Sequence, residues 1–147
     1  MERTFIMLKP GVLHRRIVGE IISRFEKKGL KIVALKVMRI DPATAEAHYA
    51  EHRGKAFYRD LTSYISSGPV AAFVLEGEEV INTVRRLIGK TDVKDAVPGS
   101  IRGDFAYTTM FNVVHASDSL ANAEREIGIF FRSDEICEWE DGNADWL

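Results

Sequence analysis

The segment VAAFVL at residues 70–75 is an unbroken apolar run that follows Pro69. A run of this length is typical of a β-strand that is covered on both faces. Apolar residues then recur at helical spacing from Val80 to Ile88, and Gly89 ends the pattern. A buried strand followed by an amphipathic helix predicts a fold in which helices pack against a sheet.

Two more strands are predicted upstream of this pair. Apolar and β-branched residues dominate 4–8 and 31–40, which predicts a strand at each place. Between them, apolar residues repeat at every fourth position from Ile17, which predicts a helix that stops at Gly29. Residues 43–66 predict two short helices that lead into the next strand.

The pattern weakens downstream of Gly89. Residues 91–104 have no clear period and include one proline and two glycines, which predicts a structured loop. A last strand is predicted at 105–114. A helix follows it, because apolar residues recur at helical spacing from Leu120 to Phe130.

The predicted order, β-α-β-α-β-α-β-α, fits two α/β arrangements. One is a ferredoxin-like, four-stranded antiparallel sheet covered by helices, and the other is a doubly wound parallel sheet. The sheet is too short for two nucleotide-binding halves, which favours the ferredoxin-like arrangement. No linker or internal repeat interrupts the chain, so residues 1–147 are expected to form a single domain.

The composition excludes several classes of protein. Lysine and arginine total 20 against 22 acidic residues, so no general attraction to nucleic acid is expected. Cys137 is the only cysteine, which excludes an intrachain disulfide and a multi-thiolate metal site. No apolar run is long enough to span a bilayer, and no signal-peptide pattern opens the chain. A cytoplasmic protein with no membrane partner is expected.

The best candidate for chemistry is a histidine in the segment NVVHASDS at residues 112–119. His115 is predicted at the end of a strand, with a helix starting two to four residues later. Free N–H groups at a helix start favour an anion, and a neutral imidazole beside them can act as nucleophile, general base or metal ligand. His48 and His52 are four residues apart but lack the H-E-x-x-H pattern, so an exposed helical face is expected there.

Basic and hydroxyl side chains lie in the segments with little periodicity. Lys9, Arg85, Thr91 and Arg102 offer the donors that phosphate oxygens accept. Neither a P-loop nor a dinucleotide-binding glycine motif is present, so any phosphate must be bound by individual side chains. Glu126 can orient an imidazole by accepting its ring N–H, although its spacing alone favours an exposed helical glutamate.

These residues together strongly resemble the nucleoside diphosphate kinase family. The match runs from Arg3 to about Phe131, nearly the whole chain. It includes the colinear segments Lys9-Pro10, Val18-Gly19-Glu20-Ile21, His48-Tyr49-Ala50-Glu51-His52, Phe57-Tyr58, Ser67-Gly68-Pro69-Val70, Arg85, Gly89-Lys90-Thr91, the run from Pro98 to Phe105, and Asn112-Val113-Val114-His115.

The resemblance implies an enzyme that transfers the γ-phosphate of a nucleoside triphosphate to a nucleoside diphosphate. It implies a ping-pong mechanism through a phosphohistidine formed at Nδ1 of His115, with broad base specificity. It also implies Mg²⁺ as the cofactor, held mainly by the nucleotide phosphates with no direct protein ligand. A homo-oligomer, either a tetramer or a hexamer, is expected by the same resemblance.

The resemblance also assigns roles to individual residues. His115 is the catalytic residue, and Glu126 and Ser119 orient its imidazole. Phe57 stacks on the base, with Leu61 beside it. The positions that match the surroundings of the phosphates and ribose are Lys9, Tyr49, Arg85, Thr91, Arg102 and Asn112.

Three positions depart from the family pattern. Ala116 stands where glycine is usual, directly after the nucleophile, and would be strained if the backbone there had a positive φ. Phe111 replaces a frequent arginine, and Gly11 replaces an aspartate. A non-catalytic, ferredoxin-like nucleotide-binding regulatory module is therefore the alternative reading. The acidic tail after Phe131 is expected to pack on a neighbouring subunit.

Overall fold

Four strands form one antiparallel sheet in the order β2-β3-β1-β4. The computed structural model describes all 147 residues. The strands are β1 (Glu2–Leu8), β2 (Lys31–Met38), β3 (Val70–Gly77) and β4 (Val114–Ala116). All pairings are antiparallel, which excludes the doubly wound parallel sheet and confirms the ferredoxin-like arrangement.

Six helices cover this sheet. They are α1 (Val18–Lys27), α2 (Pro42–His48), α3 (Tyr58–Ile65), α4 (Val80–Ile88), α5 (Ile101–Phe105) and α6 (Leu120–Phe130). At the start of α2 the Asp41 carboxylate accepts a hydrogen bond from the Thr44 N–H at 2.7 Å, a regular N-cap. None of these helices has both the length and the apolarity needed to cross a membrane.

The two faces of β1 supply two separate hydrophobic cores. Ile6 and Leu8 point to one side, where they join Phe25 of α1 and residues of α4. Phe5 and Met7 point to the other side, where α2, α3 and the end of α6 cover them. Every residue of 70–75 is buried, which confirms the reading of that segment as a strand covered on both faces.

The region between α4 and α6 differs from its prediction. The expected loop at 91–104 contains a 3₁₀ turn at Val93–Asp95 and the start of α5, which is capped by Ser100. A five-residue helix is too short to produce a recognisable period. The strand predicted at 105–114 is wrong: the ladder with β1 begins only at Val114. Residues 107–111, such as Tyr107, are exposed and lie outside the sheet.

The C-terminal tail packs on its own chain, and its expected contact with a neighbouring subunit stays a prediction. The N–H of Cys137 donates to the Val33 carbonyl, and the Trp139 indole donates to the Ile32 carbonyl at 2.9 Å. The Lys31 ammonium lies over the Trp139 ring. The tail therefore covers the first half of the outer edge of β2, which would otherwise expose unpaired backbone groups.

Replacement of Gly103 by alanine is expected to destabilise the fold. A Cβ atom at this position would lie 1.9 Å from the Val97 carbonyl oxygen and 2.8 Å from the Ser100 hydroxyl oxygen. Backbone must move to relieve such a clash, so the free energy of unfolding should fall by roughly 3 kcal/mol, as measured by urea denaturation. Gly128→Ala is the control, since nothing lies within 4 Å of its Cβ and the helix should gain up to about 1 kcal/mol. Equal stabilities for the two variants would contradict this account.

Candidate active site

A cleft of about 300 Å³ lies where β1 and β4 meet α2, α4 and α6. Its lining includes all the residues singled out by sequence except Phe57 and Ser119. They are Lys9, Tyr49, Leu61, Arg85, Thr91, Arg102, Asn112, His115 and Glu126. Residues up to 117 positions apart in the chain therefore converge on one site.

The position of His115 follows from the pairing of β4 with β1. His115 lies in the middle of β4, opposite Met7, rather than after a longer strand as predicted. Paired residues share a face of the sheet, so the imidazole lies on the side of Phe5, with ring centroids 6.0 Å apart. The side chain remains 23% exposed, so a ligand in the cleft can reach it.

A buried carboxylate fixes the imidazole. Glu126 Oε2 lies 2.8 Å from His115 Nε2, and Glu126 Oε1 accepts a 2.6 Å hydrogen bond from the Ser117 hydroxyl. Glu126 is only 4% exposed, so the expectation of an exposed helical glutamate is wrong. With Nε2 directed at the carboxylate, His115 Nδ1 has no protein partner.

Ser117, which the sequence reading missed, contacts Glu126 where Ser119 was expected to help orient the ring. The Ser119 hydroxyl instead accepts a hydrogen bond from the Asn122 N–H and caps α6. The strand period offered a signal for this assignment. Residues two apart in an extended segment share a face, which puts Ser117 rather than Ser119 beside His115.

A tight turn precedes β4 and His115. Val113 has φ +77°, and the Val114 N–H donates to the Asn112 carbonyl at 2.9 Å, which closes a three-residue γ-turn. A β-branched residue is strained in this conformation, and such strain is concentrated at functional sites. The turn presents the Asn112 side chain to Lys9, and the Val113 carbonyl accepts the Lys9 backbone N–H.

Lys9 is a buried cation at the base of the cleft. Its Nζ atom donates to Asn112 Oδ1 at 2.7 Å, and the ring of Tyr64 lies beneath it. Burial, together with the charge of Arg102, lowers the pKa of Lys9 to about 8. Protein groups therefore accept hydrogen bonds from only part of the ammonium, which has donors left for an anion.

The pKa of Lys9 predicts a pH dependence of anion binding in the cleft. Above pH about 8 the ammonium loses its proton, so kcat/KM should fall by up to about tenfold per pH unit. The same shift means that burying the charge costs folding stability below pH 8, and that cost decreases as the pH rises toward 10.5. In a pH series of initial rates, Lys9→Met should be slower throughout and lack this alkaline decline. A decline that persists in Lys9→Met would assign it to another group.

The two arginines of the cleft are held by backbone carbonyls. Arg102 is buried and donates to the carbonyls of Asn112, Gly89 and Val114 at 3.3, 3.0 and 2.7 Å. Burial and the charge of Arg85 lower the pKa of Arg102 to about 10, so it stays charged at neutral pH. Arg85 donates to the Ala116 carbonyl at 3.3 Å. Each guanidinium retains N–H groups for a ligand.

His48 does not lie on an exposed helical face, which corrects that prediction. It is 3% exposed, and neither of its ring nitrogens has a hydrogen-bond partner. His52, four residues later, is half-buried and lies beside Phe57, with ring centroids 5.3 Å apart. The ligand atoms of His48, His115 and Glu126 lie within 4.8 Å of one another, but this nitrogen-rich set does not suit Mg²⁺, which prefers oxygen ligands.

The rim of the cleft carries one accessible aromatic ring. Phe57 is 46% exposed and Leu61 lines the cleft one helical turn further along. The Lys55 ammonium lies 5.7 Å from the Phe57 ring centroid. The free ring offers a surface on which a nucleobase can stack.

The three departures from the family pattern fit the structure. Ala116 lies in β4, where its φ is not positive, so its methyl group is unstrained. Gly11 has φ +98° and so forms a turn that other residues would strain. Phe111 packs its ring edge-on against Tyr64, with centroids 5.2 Å apart. None of the three removes a group from the cleft.

Comparisons with known proteins show the family to which the chain belongs. The family model described as nucleoside diphosphate kinase matches residues 2–136. The chain is 56% identical over 146 residues to the nucleoside diphosphate kinase of Treponema pallidum (strain Nichols), covering 99% of this chain and 98% of that one. It is 55% identical over 147 residues to the enzyme of Archaeoglobus fulgidus, covering 100% and 97%.

A solved structure shows the same fold. The halophilic nucleoside diphosphate kinase of Halobacterium salinarum, in complex with CDP, superposes with a TM-score of 0.96 at 47% identity, covering 99% of this chain and 97% of that one. The match to the family model and to these relatives extends over nearly the full length of the chain. The chain therefore belongs to the nucleoside diphosphate kinase family and is a nucleotide phosphotransferase.

Proposed function

We propose that the enzyme moves the γ-phosphate of a nucleoside triphosphate to a nucleoside diphosphate by a ping-pong mechanism through His115. The contact that carries this proposal is the 2.8 Å pair between His115 Nε2 and Glu126 Oε2. It leaves the lone pair of Nδ1 as the nucleophile. The CDP complex of the Halobacterium salinarum relative supports a nucleotide as the ligand of this cleft.

In the first half-reaction, Nδ1 attacks the γ-phosphorus and the bond from phosphorus to the β,γ-bridging oxygen breaks. The nucleoside diphosphate leaves with that oxygen, and the phosphoryl group stays on Nδ1. The proton stays on Nε2, which donates it in a hydrogen bond to the Glu126 carboxylate, and the negative charge of that carboxylate balances the positive charge that develops on the imidazole. In the second half-reaction a different diphosphate attacks the same phosphorus, and the Nδ1–P bond breaks.

The cations of the cleft stabilise the transferring group. Phosphoryl transfer requires in-line positioning and donors for the charge on three equatorial oxygens. Lys9, Arg85 and Arg102 provide fixed positive charge, and backbone carbonyls hold both arginines in place. We assign Tyr49, Thr91 and Asn112 to the phosphates and ribose.

Nucleotide kinases of this family generally need a divalent cation, and we propose Mg²⁺. The cleft is lined by three cationic side chains and only by the carboxylates of Glu51, Asp118 and Glu126, of which Glu126 is engaged by His115 and Ser117. This lining fits a Mg²⁺ ion held mainly by phosphate oxygens and water. When bound, the ion neutralises charge on the phosphates.

Base recognition is proposed to rest on stacking. Phe57 and Leu61 offer an apolar surface at the rim, and every base has a π-face that can stack there. Few groups in the cleft can read base edges, so we expect broad specificity. The geometry of Ala116 gives no support to the alternative of a non-catalytic module. It gives no support to a preference among bases either.

We also propose that residues 1–147 act as one domain within a homo-oligomer, a tetramer or hexamer. Leu35 and Val37 on the uncovered half of β2 are exposed apolar residues that favour burial against another subunit. Light scattering of the purified protein measures this directly, and a monomeric mass would contradict it. The cytoplasmic location remains a prediction.

The test of the proposed function is a two-step transfer. The enzyme is incubated with Mg²⁺ and γ-labelled nucleoside triphosphate, and protein is separated from nucleotide. The label should be acid-labile and base-stable, as expected for a phosphohistidine, and should pass to an unlabelled diphosphate of another base. Saturable nucleotide binding without protein labelling would support the non-catalytic module instead.

A further inference from the structure

His48 is a buried imidazole that the proposed reaction does not use. Its side chain is 1% exposed, and both ring nitrogens lack a hydrogen-bond partner. An unpaired buried polar group destabilises the folded state, and an apolar residue of similar size would avoid that cost. Its presence beside the nucleophile therefore requires an explanation.

The geometry directs His48 at the group that orients the nucleophile. His48 Nδ1 lies 3.6 Å from Glu126 Oε2, the same oxygen that contacts His115 Nε2. The two imidazole rings are perpendicular, with centroids 4.7 Å apart. The ring of His48 is packed between Phe130 and Tyr49, so its reorientation is confined to small movements.

We infer that His48 is a positioning residue, a neutral donor whose Nδ1–H forms a hydrogen bond with Glu126 Oε2 when His115 accepts the phosphoryl group. This inference rests on the proposed phosphorylation of His115. A separation of 3.6 Å is too long for a hydrogen bond, but bonds of this kind are often long in free enzymes and tighten during catalysis. The added donor would hold the carboxylate in place while charge develops on His115.

The donor must carry no charge. A cation at position 48 would compete with the His115 imidazolium for Glu126 and would repel it across 4.7 Å. Burial, with the nearby charges of His115, Arg125 and Lys9, lowers the pKa of His48 to about 2. His48 therefore stays neutral throughout the working range of pH, unlike lysine or arginine in its place.

The charged and titratable groups around this cluster come from several elements. The cationic ones are Lys9 after β1, Arg85 on α4, Arg102 on α5 and Arg125 on α6. Tyr49, Glu51 and His52 follow α2, and Asp118 precedes α6. A substitution at position 48 leaves all of them in place, so a change in pH profile reports the lost donor.

The test compares His48→Phe, which fills the space without a donor, with His48→Asn, whose amide nitrogen can replace Nδ1–H. Without the donor, the negative charge of the Glu126 carboxylate is less balanced by hydrogen bonds. The carboxylate then stabilises the protonated form of His115 more strongly. The acidic limb of the rate of protein phosphorylation should then move to higher pH by about half a unit or more, with about tenfold slower labelling at neutral pH. His48→Asn should restore both toward wild type, and His14→Phe, at an exposed histidine, should change neither.

A second measurement uses the wild-type protein, so it does not require that any variant folds. The ¹⁵N shifts of His48 in the wild-type protein should show a neutral ring protonated at Nδ1. A ring protonated at Nε2, or an acidic limb in His48→Phe that coincides with wild type, would overturn the inference. If the wild-type protein takes no label on His115, it is the proposed function that fails, since the inference concerns only how that labelling depends on His48.

Discussion

His115→Ala is expected to lower phosphate transfer between unlike nucleotides by about 10⁴-fold or more, the scale seen when a covalent nucleophile is removed. Without Nδ1 no phosphoryl-enzyme can form, so nothing carries the phosphoryl group from one nucleotide to the other. The side chain is 23% exposed and contributes to neither hydrophobic core, so folding should be little affected. A coupled assay of nucleoside triphosphate synthesis measures the loss, and thermal unfolding measures the fold.

The matched control is His14→Ala. His14 is exposed on the turn after β1 and lies outside the cleft. This variant should keep wild-type transfer and labelling. If His115→Ala kept more than a hundredth of the wild-type rate, or still took acid-labile phosphate, the nucleophile would have to be assigned elsewhere.

The sequence predicts most of the fold because burial leaves a local trace in strongly apolar segments. The run at 70–75 and the stripe from Val80 to Ile88 are each found where the pattern places them. The strand at 105–114 was predicted wrongly because β propensity describes a side chain's fitness for a pleated surface, not the presence of a partner strand. The chain pairs with β1 only opposite Ile6–Leu8, so β4 has three residues and the exposed segment before it has no partner strand.

The candidate site, like the fold, was predictable from the sequence only in part. Residue types and the family resemblance place Lys9, Arg102 and His115 in one cleft, and the structure brings them together. The burial of Glu126 and His48 has no local signal, because each is buried by segments far away in the chain. A polar residue on a helix is exposed or buried according to what packs on it, and spacing alone cannot show this.

Arg102→Ala is expected to cause a large loss of both activity and stability. The guanidinium is 5% exposed and donates to three carbonyls that join α5, the end of α4 and the turn before β4. Alanine would remove the Arg102 donors from the Gly89 and Val114 carbonyls, leave the Asn112 carbonyl only the Val114 N–H, and open a cavity. The free energy of unfolding should fall by roughly 3 kcal/mol in urea denaturation.

The loss of activity in Arg102→Ala should be larger than its loss of stability can explain. Arg102 is one of three fixed cations proposed to stabilise the transferring phosphoryl group, and loss of one such donor costs about 10²–10³-fold in kcat. Arg102→Lys should recover little, because one ammonium cannot reach three divergent carbonyls and a phosphate together. Arg86→Ala, on the exposed side of α4 and outside the cleft, controls for the loss of a positive charge and should retain full turnover. If folded Arg102→Ala protein kept the wild-type kcat, Arg102 would not act in the phosphate site. Its role would then be limited to holding three segments together.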